Sequence, residues 1–149
     1  MNSVNEEKLA RNNPYMKMFV YIMRTGQFLD QQVSAILKQF DITHVQFNVL
    51  RNLEVAYPRF LSTGDIKKEL IFPASDVSRL LDRLVKRNLI ERRICPGNRR
   101  KIDISITTTG LNLISEILPV FENRFNGYYK NIILEHERDL ITETLKKIH

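Results

Sequence analysis

The chain has no tryptophan, a single cysteine (Cys95), and only five glycines and five prolines among 149 residues. One thiol excludes an intrachain disulfide and fits a reducing cytoplasm. Gly64 and Gly97 belong to no glycine-rich phosphate loop. No apolar run approaches the roughly 18 residues of a membrane span, and Met1-Asn2-Ser3-Val4-Asn5-Glu6 does not open like a signal peptide. His44, His136 and His149 are scattered, with no His-x-x-x-His pair and no Cys-x-x-Cys, so neither a metal nor another cofactor is expected. No catalytic constellation is visible, and an enzyme is the least expected class. Acidic residues are also short, at 17 against 23 basic ones.

What is present is a basic charge gathered in one place. Residues 61 to 105 hold 11 Lys/Arg against 6 Asp/Glu, whereas the rest of the chain is nearly balanced. Between Arg83 and Lys101 the single acidic residue is Glu91. Charge concentrated on one motif is what phosphate neutralisation requires. Binding to a membrane surface would instead need lysines along one face of a long amphipathic helix.

The basic region has two parts. From Ser75 to Asn88, residues Val77, Leu80, Leu81, Leu84 and Val85 recur with helical spacing. The opposite face carries Ser75, Asp76, Ser78, Arg79, Asp82, Arg83 and Lys86, short polar groups and forked guanidiniums suited to base edges and phosphates. After Asn88 the period becomes that of a strand. Lys101-Ile102-Asp103-Ile104-Ser105-Ile106 alternates, with three isoleucines on one face, and Leu89 to Cys95 is its expected partner across a Pro96-Gly97-Asn98 turn. The hairpin carries Arg92, Arg93, Asn98, Arg99, Arg100 and Lys101. A reading helix followed by an arginine-tipped hairpin describes a winged helix, with arginine placed in the electronegative minor groove.

Around this centre the chain reads as helical. A long helix is expected from about Asn13 to Phe40, interrupted by Gly26 alone. Thr43 with Gln46 forms a capping box that opens a helix through Phe47, Leu50 and Leu53 to about Ala56, where Pro58 forbids continuation. Ser62 with Asp65 forms a second capping box, opening a short helix through Ile66 and Leu70, and Phe72-Pro73 separates it from the reading helix as in a helix-turn-helix. A further helix starts at Thr107 to Gly110 and continues through Phe125, with a kink at Pro119. A last one runs from about Glu135 to Ile148. The fold class expected is mainly α with a small β-hairpin: a winged helix-turn-helix with long N- and C-terminal dimerisation helices. All of 1–149 forms one domain, in which about 43–106 is the DNA-binding lobe. The flanking helices, about 13–40 and 107–148, carry more apolar surface than the lobe can cover, and a second copy is the simplest partner.

Two stretches resemble the multiple antibiotic resistance regulator (MarR) family of bacterial transcription factors. One is Phe40-Asp41-Ile42-Thr43-His44-Val45-Gln46-Phe47-Asn48-Val49-Leu50. The other runs from Val77 to Arg92 and on through the Asn98-Arg99-Arg100 wing to Ile106-Thr107-Thr108-Thr109-Gly110. The resemblance covers about residues 13 to 148. It implies a homodimer on a pseudo-palindromic double-stranded DNA site, usually a repressor relieved by a small-molecule effector. Two positions depart from the family pattern. Asn98 stands where an aspartate usually helps fix the wing arginine, and Asn88 replaces the usual glycine after the reading helix. Asparagine tolerates the left-handed conformation that such a helix end needs.

The resemblance places an effector pocket between the dimer helices and the lobe, where Tyr15, Phe19, Met23 and Phe47 are candidates; each is equally a good core residue. Cys95 is either a redox sensor favoured by nearby arginines or, more simply, a half-buried strand residue. The alternative function is a winged-helix protein-interaction module without specific DNA binding. The arginine cluster and the absence of aromatic anchors on the outer face favour DNA.

Overall fold

The computed structural model describes residues 13–71, 76–95 and 98–148, apart from the side chains of Arg99 and Arg100. The chain divides into two compact units, Met1–His44 and Val45–His149.

The first unit is dominated by α1 (Pro14–Lys38). Asn13 caps it by accepting the Tyr15 N–H at 2.9 Å, and Pro14, which has no N–H to satisfy, occupies the first turn. The chain reverses at Asp41, whose φ of 53° is left-handed, with the Ile42 N–H donated to the Leu37 carbonyl at 3.1 Å. Gly26 leaves the helix intact. Ile36, Leu37 and Ile42 are buried, while the amino-terminal two-thirds of α1 holds its aromatic and methionine side chains in solvent. His44 joins two side chains of α1. Its Nδ1 lies 3.3 Å from Asp30 and its Nε2 lies 3.0 Å from the Ser34 hydroxyl.

The second unit continues α2 (His44–Ala56) and adds β1 (Leu61–Ser62), α3 (Thr63–Lys68), α4 (Val77–Lys86), β2 (Ile90–Cys95), β3 (Asn98–Ile106), α5 (Thr108–Tyr129) and α6 (Glu135–Leu145). Its core is aliphatic: Val49, Leu50 and Leu53 from α2, Ile66 from α3, Val77, Leu81 and Leu84 from α4, Ile90, Ile104 and Ile106 from the strands, and Ile114 and Ile117 from α5. The three strands form an antiparallel sheet in the order β1-β3-β2.

Four features differ from the sequence expectation. A short strand, β1, pairs Leu61 with Ile104 and Ser62 with Asp103; two residues are too few to show a period. Asn98, expected in the turn, belongs to β3 opposite Cys95, beside an irregularity at Ile94/Cys95. Of the three alternating isoleucines, Ile104 and Ile106 are buried but Ile102 is 45% exposed, as is its cross-strand neighbour Ile94. The hairpin outruns the core, so strict alternation there continues past the surface that would bury it. On α4, Val85 is likewise 38% exposed.

α5 runs unbroken through Pro119. It starts where expected, with Thr107 accepting the Gly110 N–H at 3.1 Å and donating its hydroxyl to the Asn88 carbonyl at 2.6 Å. Gly110 is needed for close approach: a Cβ there would stand 2.2 Å from the Leu89 carbonyl oxygen and 2.6 Å from Ile106 Cγ1. α6 buries none of its residues, and Leu140, Ile141 and Leu145 face solvent.

Candidate nucleic-acid interface

α4 is defined by its two ends. Asp76 caps the first turn, its carboxylate accepting the Arg79 backbone N–H at 3.0 Å. At the far end the Asn88 N–H reaches the Val85 carbonyl at 2.8 Å and the Leu89 N–H reaches Leu84 at 3.0 Å. These two bonds make a Schellman cap, and Asn88 adopts the left-handed φ of 55° that it requires. The departure from glycine at this position is therefore accommodated without changing the cap.

Between the caps, Val77, Leu81 and Leu84 face the core, while Ser78, Arg79, Asp82, Arg83 and Lys86 are exposed. Their roles separate. Arg79 folds back onto the cap, with its Nε 3.0 Å from Asp76. Arg83 and Lys86 have no ion-pair partner among the described residues and project from the last two turns of α4. Asp76 is occupied twice, by the Arg79 backbone and by its guanidinium, which gives it a structural task as well as a place on the face. Ser75 lies outside the described residues.

Arg92 is half-buried and spans from β2 to α4. It donates to Asp82 Oδ1 at 2.6 Å and to the Ser78 carbonyl at 3.2 Å. Arg92 and Asp82 thus tie the base of the wing to the reading helix. Arg93, one position on, stands over the Phe60 ring at 3.3 Å from its centroid and pairs across the strands with Asp103 at 3.5 Å. Phe60 went unremarked in the sequence because nothing local relates it to residue 93. Lys101 is exposed, and β3 carries Arg99 and Arg100 beyond the core, their side chains lying outside the described residues. Asn98 is exposed, and Cys95 is a half-buried strand residue.

The helix before the turn is pinned at its start by the expected capping box. Asp65 accepts from the Ser62 backbone at 3.0 Å and from its hydroxyl at 2.6 Å, and its N–H returns to the Ser62 oxygen at 3.2 Å. The Ser62 hydroxyl, chiefly, holds the Asp65 carboxyl below the ordinary carboxylate range.

The four effector-pocket candidates are distributed over both units. Tyr15, Phe19 and Met23 are exposed on α1. Phe47, in the second unit, stacks on Phe121 at 5.1 Å and begins an aromatic ladder through Phe125 to Tyr129. That ladder leads to a cavity of about 670 Å³ lined by Phe125, Tyr129, Lys130, Ile133 and Arg138 among others, which includes none of the four. Burial there, with Tyr128 alongside, raises the Tyr129 phenol above its usual range. Among the described residues no group of three or more metal-ligating side chains is found, and no helix is long and apolar enough to cross a membrane.

Comparison with known proteins finds transcriptional regulators. The model of the MarR family matches residues 40–101. An HTH-type transcriptional regulator of Bacillus cereus is 26% identical over 132 residues, covering 89% of this chain and 86% of that protein. Among solved structures, an S. aureus MepR mutant bound to an oligodeoxyribonucleotide is similar with a TM-score of 0.61 at 27% identity, covering 87% of this chain and 94% of that one. A mutant MarR from E. coli complexed with operator DNA shares the fold with a TM-score of 0.78 at 24% identity, covering 91% of this chain and 96% of that one.

Proposed function

Because the chain belongs to the MarR family, we propose that it is a sequence-specific DNA-binding transcriptional regulator, a cytoplasmic homodimeric repressor relieved by a small-molecule effector. The exposed face of α4 carries this assignment. Arg83 and Lys86 are presented on a helix capped at both ends and braced to the wing through Arg92, so the backbone that carries them is already ordered before binding. The similar MepR mutant, bound to an oligodeoxyribonucleotide, supports DNA binding by this chain. Ser75, Asp76, Ser78, Arg79, Arg83 and Lys86 line the major-groove side; Asn98, Arg99, Arg100 and Lys101 serve the wing; Arg92 acts by holding the two together.

A second copy accounts for the apolar surface of the flanking helices. Tyr15, Met18, Phe19 and Ile22 on α1 and Leu140, Ile141 and Leu145 on α6 are exposed within one chain, more than a monomer leaves uncovered. In the dimer, two reading helices address half-sites roughly 10 base pairs apart.

Selection of bound sequences from random duplexes tests the assignment. A pseudo-palindromic consensus is expected, bound with log affinity falling linearly in log salt at about −0.9 per neutralised phosphate. An affinity indifferent to salt, or a selection without consensus, overturns it.

A further inference from the structure

α3 is too short to hold its own position. It spans Thr63–Lys68, and Ile66 is its one buried residue. A helix of this length is not stable by itself, so its placement depends on what grips its ends. The capping box grips the start. At the exit, two asparagines of α2 take hold of the outgoing backbone. Asn48 Oδ1 accepts the Ile71 N–H at 2.9 Å, and Asn52 Nδ2 donates to the Glu69 carbonyl at 3.1 Å.

The polarity of these bonds is settled by the backbone. An N–H can only donate and a carbonyl can only accept, so Asn48 must present its oxygen and Asn52 its nitrogen. The two side chains lie four residues apart, hence on one face of α2. Asparagine is a poor helix former, and two of them at this spacing need a tertiary reason. Burial of the residue does not account for the bond either, because Ile71 is 74% exposed. What the pair supplies is position: one side chain pulls on a donor and the other on an acceptor two residues away, so the exit of α3 can neither slide nor turn without breaking one.

We infer that Asn48 and Asn52 are positioning residues for DNA recognition, a two-point clamp on residues 69–71 that sets where the chain leaves for the reading helix. Neither touches DNA in this role. The inference rests on the DNA-binding function proposed above.

The opposite polarities give a test in which charge cancels. Asn48→Asp keeps an acceptor for the Ile71 N–H. Asn52→Asp sets a carboxylate against the Glu69 carbonyl. Both add one negative charge to the same face, so their shared electrostatic penalty towards phosphate drops out of the comparison. On the selected duplex, N52D is expected to bind about tenfold more weakly than N48D, a difference of the order of one lost hydrogen bond plus a repulsion. Asn52→Ala, which removes the donor without adding charge, stands in if N52D does not fold; weakening relative to wild type is expected. Hydrogen exchange gives a readout independent of DNA. The Ile71 amide is expected to be protected in wild type and N48D, and unprotected in Asn48→Leu.

Equal affinities for N48D and N52D, with wild type binding normally, overturn the clamp but leave the DNA-binding function standing. If wild type binds no selected duplex, that function fails, and Ile71 exchange still decides the clamp: an unprotected wild-type amide overturns it.

Discussion

α4 and α1 are both amphipathic helices, but one has its apolar face satisfied within the chain and the other does not. α4, of 10 residues, buries Val77, Leu81 and Leu84 and exposes only polar groups with Val85 at the margin. α1, of 25 residues, buries Ile36 and Leu37 near its end and leaves Tyr15, Met18, Phe19, Ile22 and Met23 in solvent. What stabilises α4 is therefore the folding of its own lobe. α1 presents an apolar surface that the described residues leave in solvent. Substitutions in the two places should be read out by different measurements.

The largest effect is expected inside the lobe. Gly110→Ala forces a methyl group against the Leu89 carbonyl oxygen and Ile106, and backbone on one side leaves little to yield. A loss of about 3 kcal/mol in urea unfolding is expected, at the upper end for overpacking. A wild-type midpoint would mean that α5 does not approach so closely. On α1 the contrast is sharpest with Ile22→Glu, at an exposed position where single-chain stability has little to lose. Sedimentation equilibrium should give twice 17.6 kDa for the wild type and 17.6 kDa for this variant. A dimeric variant would place the interface elsewhere.

Smaller changes dissect the DNA-reading surface. Arg83→Ala should cost about 1–3 kcal/mol of discrimination if it meets a base edge. Arg79→Ala should change which sequences are preferred, whereas Arg100→Ala should weaken binding across sequences by removing a minor-groove contact. Wild-type affinity in Arg100→Ala would show that the wing is not engaged. The smallest effect concerns the cap. Asn88→Ala keeps the left-handed conformation at a cost of about 1 kcal/mol, while Asn88→Gly should be close to neutral. An alanine variant as stable as the glycine one would mean that the turn relaxes out of that conformation.

Much of this was legible in the sequence because it is local. The Ser62–Asp65 capping box, the left-handed Asn88, the Thr107 cap and the extents of α1 and α2 all depend on residues within a turn or two of one another. Ile102 misled because alternation records which face a side chain takes, while burial depends on how far the core extends beneath it. Phe60 beneath Arg93, β1 beside β3, and Asn48 and Asn52 at the α3 exit join residues distant in the chain, where no spacing rule applies.

Within the interface the same division holds. The basic face of α4 and the arginine-rich hairpin follow from composition and period alone, since charge on a solvent face needs no partner to be recognised. That Arg92 braces Asp82 and Ser78 rather than offering its guanidinium outward, and that Asp76 spends its carboxylate on Arg79, are decided by tertiary structure. A charged side chain is shared among whatever groups the fold brings within hydrogen-bonding reach. The sequence determined which residues are polar and which helices are amphipathic; folding alone determined which of those polar groups were already taken.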